Sequence, residues 1–161
     1  ISLQCNNGEL SRLLLPERCL ICMFLSASLE VNKKLEGSLS ICCRSLAAQM
    51  IHGSSVDISA QEDVKIKALY SVNSSIVSSN GGVQVGLSHG HTAINSAMTC
   101  SLSGIDGSFV VNNTDGGATL QINKLYPGSE SMAVSRNGSL STLVDPDVVT
   151  NLYCSTRDEA S

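Results

Sequence analysis

The histidines near the middle of the chain offer the sharpest local chemistry in the sequence. His89 and His91 flank a single glycine, so two imidazoles could meet a metal ion at one turn. Two ligands do not complete a zinc site, and the isolated His52 beside Gly53 adds no obvious third ligand. We therefore interpret all three as exposed turn histidines and expect no metal site.

The same turn carries a string that resembles a catalytic one. Gly86-Leu-Ser88-His-Gly90 matches the G-x-S-x-G pattern of a nucleophile elbow. That elbow needs a helix after the serine, and an acid and a histidine further along the chain. The residues after Gly90 alternate like another short strand, and no histidine follows His91. We interpret the match as chance in a chain rich in glycine and serine.

Cysteines provide the next candidate chemistry. The seven are Cys5, Cys19, Cys22, Cys42, Cys43, Cys100 and Cys154. Their odd number and irregular spacing do not suit a disulfide framework. Cys19 and Cys22 have the spacing of a zinc knuckle or redox pair, but Cys42-Cys43 is not a second pair of that kind. Buried thiols are the preferred interpretation, with Cys100 in the core, and a small metal or redox module is a less favoured alternative.

Carboxylates could serve a carbohydrate-active β-helix enzyme, which needs acidic groups clustered on one face. Asp106 and Asp115 lie in turns, where aspartate suits the backbone. Asp57 alternates outward on a strand, and Glu62-Asp63 lies in a turn. None recurs at a regular period, so the enzyme is retained as an alternative only.

Other short patterns are less specific. The glycine pairs at 81–82 and 116–117 lack the lysine and the following helix of a phosphate loop. Asn73, Asn112 and Asn137 begin glycosylation sequons, which matter only in a secreted protein. Lys65 and Lys67 fall on one outward strand face, which we expect to be solvated.

Bulk composition excludes several classes of partner. The formal net charge is −4 and Lys33-Lys34 is the largest basic cluster, so no nucleic-acid footprint is expected. The longest apolar run, Cys19 to Leu25, is too short to span a membrane or to serve as a signal peptide at that position. The first residue is isoleucine, and we expect the chain to be part of a longer protein.

Alternating apolar residues predict the architecture. Val56 and Ile58, Val64 and Ile66, and many later pairs alternate with polar residues, which is typical of half-buried strands. Strand starts fall roughly 8–10 residues apart with turn residues between them, and pairs of strands suggest a period of about 18–20 residues. Very short strands, small turns and few aromatic residues favour a β-solenoid over a sandwich.

This pattern divides the chain into three parts. Residues 1–34 are expected to hold a partial first coil and an irregular or helical apolar segment, since Ser11 to Leu29 shows no period of two. Two interpretations of that segment stay open: a buried helix after Pro16, or a wrongly translated insert. Residues 35–150 are expected to form the solenoid and residues 151–161 a polar tail, which is expected to be frayed from Ser155 to Ser161.

Residues 35–143 also resemble a known family. The run GSSVDIS…VKIKALYSVNSSIVSSNGGVQVGLSHGHTAINS…CSLSGIDGSFVVNNTDGGATLQINKL is similar to the adhesin-type β-solenoid domain family, a family of unknown function, and to its animal members. The shared feature is a loose repeat of G-x-[VI]-x-[VI]. The resemblance implies a right-handed β-solenoid without a known cofactor or established catalytic residues, and an intracellular, mitochondrial location.

Together these observations predict an all-β solenoid that is not an enzyme. We expect a scaffold or binding module for an unidentified protein partner, with no catalytic, cofactor-binding or metal-binding residue and no membrane span.

Overall fold

A computed structural model describes residues 2–4, 20–145 and 151–157 of the chain. Within these residues the backbone forms strands and no helix. The strands are β1 (Ser2–Gln4), β2 (Leu20–Glu36), β3 (Leu39–Ala60), β4 (Val64–Ser78), β5 (Val83–Ser96), β6 (Cys100–Asp115), β7 (Ala118–Leu125), β8 (Glu130–Asn137), β9 (Leu140–Val144) and β10 (Asn151–Thr156). Strands β1 to β7 pair in parallel in chain order, and β9 then pairs with β7, β8 with β6 and β10 with β8. The strands stack as a β-solenoid of about 6 turns, which confirms the predicted fold class.

Each of the central coils is one long, bent strand rather than two short ones. Val64 pairs with Val83, and Val83 pairs with Cys100, so register partners lie 19 and 17 residues apart. This repeat agrees with the period expected from pairs of short segments. The segments look separate in the sequence because the inward positions change phase at each bend, as between Val85 and Ser88 in β5.

The core consists of stacked columns of buried side chains. One column is Leu46, Val64, Val83, Cys100 and Ala118; another is Ile58, Ile76, Ile94, Val111 and Ala133. Burying one Val, Leu or Ile side chain stabilises a fold by about 1.5–3 kcal/mol, so the columns supply the main driving force. Cys100 lies in the core as predicted, whereas Met98 is exposed in the bend before β6.

A small hydroxyl cluster interrupts this aliphatic interior. Thr92 is fully buried, and its Oγ1 accepts a hydrogen bond from the Ser74 hydroxyl at 3.1 Å. The same oxygen lies 2.5 Å from the Ser88 hydroxyl. Ser74 also reaches the carbonyl of His91 at 3.1 Å. The interior therefore satisfies these polar groups within one closed network rather than leaving them unpaired.

Thr92→Val is expected to lower the free energy of unfolding by about 1–3 kcal/mol, because it keeps the shape but leaves two buried hydroxyls without this partner. Urea denaturation followed by circular dichroism measures the effect. Thr119→Val on the exposed face of β7 is the matched control and should change stability by less than about 0.5 kcal/mol. Equal effects at the two positions would contradict the importance of the buried network.

The N-terminal expectation needs a correction. From Leu20 onward the apolar segment is strand β2, and Leu20 pairs with Leu39 and Leu29 with Leu46 of β3. The helical interpretation is therefore wrong for these residues. Two register shifts within β2 break the alternation that would have revealed a strand. The rest of that segment, Ser11 to Cys19, lies outside the described residues.

The C-terminal expectation also changes. Asn151–Thr156, expected as part of a polar tail, forms β10 and pairs in register with β8, from Asn151 opposite Glu130 to Thr156 opposite Ser135. Arg157 extends this contact by donating its backbone N–H to the Ser135 carbonyl. The backbone makes this ladder, and Leu152 adds a side chain that packs against the hydrophobic core.

Candidate functional site

One outward column of side chains contains three rings on successive coils. Its members occupy the same register position on successive coils: Glu36, His52, Tyr70, His89, Asp106 and Lys124. The His52 and Tyr70 rings have centroids 6.3 Å apart, and the Tyr70 and His89 rings 6.1 Å apart. Both pairs are tilted, at 44° and 41°. We call His52, Tyr70 and His89 the ring column.

Glycines create the floor beside the ring column. Gly53 and Gly90 follow His52 and His89 at the bend, and Gly90 has φ 102°. A Cβ on Gly90 would lie 1.6 Å from the Ser71 carbonyl oxygen of the preceding coil. Backbone therefore packs directly on backbone at this corner, and the missing side chains leave a groove along the solenoid axis.

A β-bulge contributes to the lining of that groove. Tyr70 pairs with His89 and Asn73 pairs with His91, so Ser71 and Val72 together face the single residue Gly90. The bulge turns Val72 outward, where it is 67% exposed. Bulges re-aim side chains and are frequent beside functional sites. Here the bulge adds an apolar side chain to the lining of the groove.

An extra turn closes one end of the groove. Tyr126 begins a turn in which Ser129 donates its N–H to the Tyr126 carbonyl at 3.1 Å, and Gly128 has φ 75°. Proline followed by a glycine with positive φ is typical of a type II turn. The Tyr126 ring meets the His89 ring edge-on, with centroids 6.3 Å apart and an angle of 84°. The resulting groove has a volume of about 550 Å³.

Hydrogen bonds fix the orientation of His89. Its Nδ1 lies 3.1 Å from Asp106 Oδ2, and its Nε2 lies 3.5 Å from the Tyr126 hydroxyl. The Asp106 carboxylate oxygen accepts a hydrogen bond from Nδ1, and Nε2 on the far side of the ring faces the Tyr126 hydroxyl. Asp106, His89 and Tyr126 therefore form a short polar chain at the closed end of the groove.

Charges in the column are compensated locally. Lys34 forms an ion pair with Glu36, and this hydrogen bond and charge lower the pKa of the Glu36 carboxyl. Asp106 lies between His89 and Lys124 in the ladder. The Glu36 carboxylate therefore has a cationic partner, and the Asp106 carboxylate has the Nδ1 of His89 as its partner.

The three histidines that were predicted to lie in turns occupy two different columns of the solenoid. His52 and His89 are exposed, as expected, but they belong to one column through Tyr70. His91 lies on the other side of Gly90, where its Nδ1 is 2.8 Å from the Ser108 hydroxyl. Among the described residues no three His, Cys, Asp or Glu side chains are grouped as metal ligands.

The other groove residues, Tyr70, Val72 and Tyr126, were not singled out from the sequence. The usable signal was spacing: His52, Tyr70 and His89 recur at the coil period.

Ser88 is not placed as a nucleophile would be. It is 1% exposed, and its hydroxyl contacts Thr92 in the interior. The residues after it continue β5 instead of starting a helix. A nucleophile elbow needs an exposed serine between a strand and a helix, so this geometry does not match.

The candidate carboxylates are dispersed. Asp106 belongs to the ring-column ladder, whereas Asp115 ends β6 opposite Asn137. Asp57 is exposed opposite Ser75. Glu62 is 3.4 Å from Arg44, and Asp63 accepts the Gly82 N–H at 2.9 Å.

The remaining short patterns also have defined places. Lys65 and Lys67 are exposed on one face of β4, as predicted, beside a shallow depression of about 290 Å³. The Gly81 N–H donates to the Ser78 hydroxyl. Asn73, Asn112 and Asn137 are all exposed.

The cysteines are distributed over the fold. Cys22 pairs with Ile41 in the ladder, Cys43 is buried, Cys42 is half-buried and Cys154 is exposed. Cys5 and Cys19 lie outside the described residues. Burial raises the pKa of the Cys100 thiol to about 12 from an ordinary 9.0.

The buried Cys100 thiol makes stability depend on pH in alkaline solution. The unfolded thiol loses its proton near pH 9.0 and the folded thiol only near 12, so rising pH favours the unfolded chain in this window. Between about pH 8 and pH 10, the free energy of unfolding of the wild type should fall by about 1 kcal/mol more than that of Cys100→Ala. Urea denaturation of both reduced proteins measures this difference. An identical pH dependence would contradict the prediction.

Comparison with protein-family models, with curated proteins and with solved structures finds no match to this chain. In the part of the chain that the structure describes, no helix is long and apolar enough to cross a membrane.

Proposed function

We propose that this chain is a non-catalytic β-solenoid scaffold that binds a protein partner in the groove beside the ring column. The observation that carries the proposal is the composition of that groove. Two tyrosines and two histidines line it together with exposed Val72, while glycines keep its floor open. Tyrosine is enriched where proteins meet, because one end of the side chain is apolar and the other forms hydrogen bonds.

The rigid core supports a scaffold role. Each ring-column residue lies on a strand that is paired with another strand on both sides. The backbone therefore holds the rings in place without a binding partner. Binding to a preorganised surface loses less conformational entropy than binding to a mobile loop. The resemblance to adhesin-type solenoid domains is consistent with this role, and with it we propose the intracellular, mitochondrial location that the resemblance implies.

A capture experiment tests the proposal. Immobilised wild-type chain and a Tyr70→Ser/Val72→Ser variant are incubated with the same cell extract, and bound proteins are quantified by mass spectrometry. A Lys65→Ser/Lys67→Ser variant is the matched control, because both pairs lie on β4 but on different faces. We expect at least one protein to bind the wild type and the lysine variant but not the groove variant. If every bound protein is retained by the groove variant, the proposal is wrong.

One observation favours a second candidate, the carbohydrate-active enzyme. The chain of Asp106, His89 and Tyr126 could move a proton at the end of an open groove. A screen against acidic polysaccharides would need to show turnover that is lost in Asp106→Asn and retained in Asp115→Asn. Without such turnover the scaffold is the better proposal.

A further inference from the structure

A second hollow lies away from the ring column, on the outward face where β6, β8 and β10 run side by side, and its volume is about 370 Å³. Arg136 of β8 and Arg157, which follows β10, both line it, and both side chains are exposed. Among the described residues that line this hollow, none is Asp or Glu. The lining is therefore cationic in a chain whose formal net charge is −4, and we call it the arginine hollow.

The strand ladder places the two arginines beside each other. Ser135 pairs with Thr156, and the Arg157 N–H donates to the Ser135 carbonyl at 2.9 Å. Arg136 and Arg157 are the next residues along these two paired segments, so their side chains leave the sheet side by side. Like charges opposite each other on adjacent strands destabilise a sheet, whereas an anion held between them forms charge-assisted hydrogen bonds to both. The pair is thus suited to a ligand with about two negative charges.

The geometry of arginine narrows the choice of anion. Each guanidinium is planar and carries five N–H donors, so it can bind two oxygens of one anion and keep other donors for a contact within the protein. A carboxylate has two oxygens and a single charge, which one arginine satisfies. A phosphate monoester has three terminal oxygens and a charge of about −1.5 to −2 at pH 7, which agrees with two neighbouring arginines.

The rest of the arginine hollow offers contacts for the organic part of such an ester. Met132 and Val134 are half-buried and lie on the same face of β8 as Arg136. In the ladder Val134 pairs with Ser155 and Met132 pairs with Tyr153, whose side chain is 59% exposed. An apolar floor therefore extends from the arginines to an exposed ring, where a flat apolar group can pack.

We propose that the arginine hollow binds a phosphate monoester, with its phosphoryl group between Arg136 and Arg157 and its organic group between Val134 and Tyr153. The hydroxyls of the hollow add neutral donors beside the guanidinium groups. This site is separate from the groove beside the ring column, and the inference goes beyond the proposed function.

Titration of the whole chain with 1-naphthyl phosphate tests the inference. The chain contains no Trp, so the naphthyl fluorescence is measured separately from that of the protein, and its anisotropy should show saturable binding. Arg157→Gln should weaken binding at least about tenfold, because it removes one of the two charge-assisted contacts. Arg157→Lys keeps the charge but loses the planar fork, so its loss should be smaller than that of Arg157→Gln.

A second pair of cations provides the matched control. Lys65 and Lys67 line a depression of about 290 Å³ on another face, together with Glu30. Lys65→Gln/Lys67→Gln removes twice the charge that Arg157→Gln removes, yet it should change the binding of 1-naphthyl phosphate by less than about twofold. An equal loss in the lysine and arginine variants would show only a general attraction of anions and would overturn the inference.

Related probes separate the phosphoryl group from the organic group. Inorganic phosphate should compete with 1-naphthyl phosphate, and 1-naphthoate should bind at least about threefold more weakly, because it has one charge and two oxygens. Absence of saturable binding would contradict the proposal, and 1-naphthol that binds as tightly as the phosphate would assign the hollow to apolar ligands instead. Tyr70→Ser should leave phosphate binding unchanged, so a negative result here leaves the groove proposal standing.

Discussion

Replacing Gly90 with alanine is expected to lower the free energy of unfolding by about 3–5 kcal/mol, the largest effect at the glycine corner. Two causes act together. The residue has φ 102°, which a residue with a Cβ rarely adopts, and the added carbon would lie 1.6 Å from the Ser71 carbonyl oxygen. The obstacle is backbone, so no side-chain rotation can relieve it. Chemical denaturation followed by circular dichroism measures the change.

Gly128→Ala is the matched control for Gly90→Ala. Gly128 also has a positive φ, 75°, but no atom lies within 4 Å of the position a Cβ would take. Its substitution should therefore cost only the conformational strain, about 1 kcal/mol. If the two alanine variants lose the same stability, the contact between coils at Gly90 is not as close as described. The groove floor would then be wider than the structure shows.

Phe109→Ala is expected to be the second severe change, with a loss of about 3–5 kcal/mol. Phe109 is completely buried and pairs in register with Thr92, in a part of the interior that also holds Ser131. These small polar neighbours cannot expand to fill the space that a deleted ring leaves. The cavity therefore persists, and its cost adds to the lost burial. Calorimetric or urea unfolding of the purified variant measures the loss.

Phe109→Leu separates volume from aromatic character. Leucine retains most of the buried apolar volume, so this variant should lose less than about 2 kcal/mol. A leucine variant as unstable as the alanine variant would show that the shape of the ring, rather than the space it fills, is what the interior requires. A stable alanine variant would show that the neighbouring coil closes over the cavity.

Much of the architecture was accessible from the sequence because a solenoid repeats one local pattern. Val64, Ile66, Val83 and Val85 alternate plainly, and the distance between such pairs predicts the coil length. The β2 segment was missed for a physical reason. Its two register shifts, between Phe24 and Ser28 and between Val31 and Lys34, break the period of two, so the segment lacks the alternation of the later strands.

The groove was less accessible than the fold. His89 and His91 are neighbours in the sequence and attracted attention as a pair, yet the bend at Gly90 sends them to different columns. The relevant partners of His89 are Tyr70 and Tyr126, far away along the chain. Recognising Tyr70 requires the exact register of the ladder, and Tyr126 depends on a turn that departs from the repeat.

That departure has a consequence for how the protein tolerates change in length. Gly107 pairs with Leu125 and Val110 with Met132, so a short step in β6 is matched by a longer excursion through Tyr126 and Gly128. The strands pair in register again on both sides of this corner, so the neighbouring columns of side chains stay aligned. Extra residues can therefore be accommodated at this corner. A loop grafted there would alter which ligands the groove accepts and would leave the columns of the core unchanged.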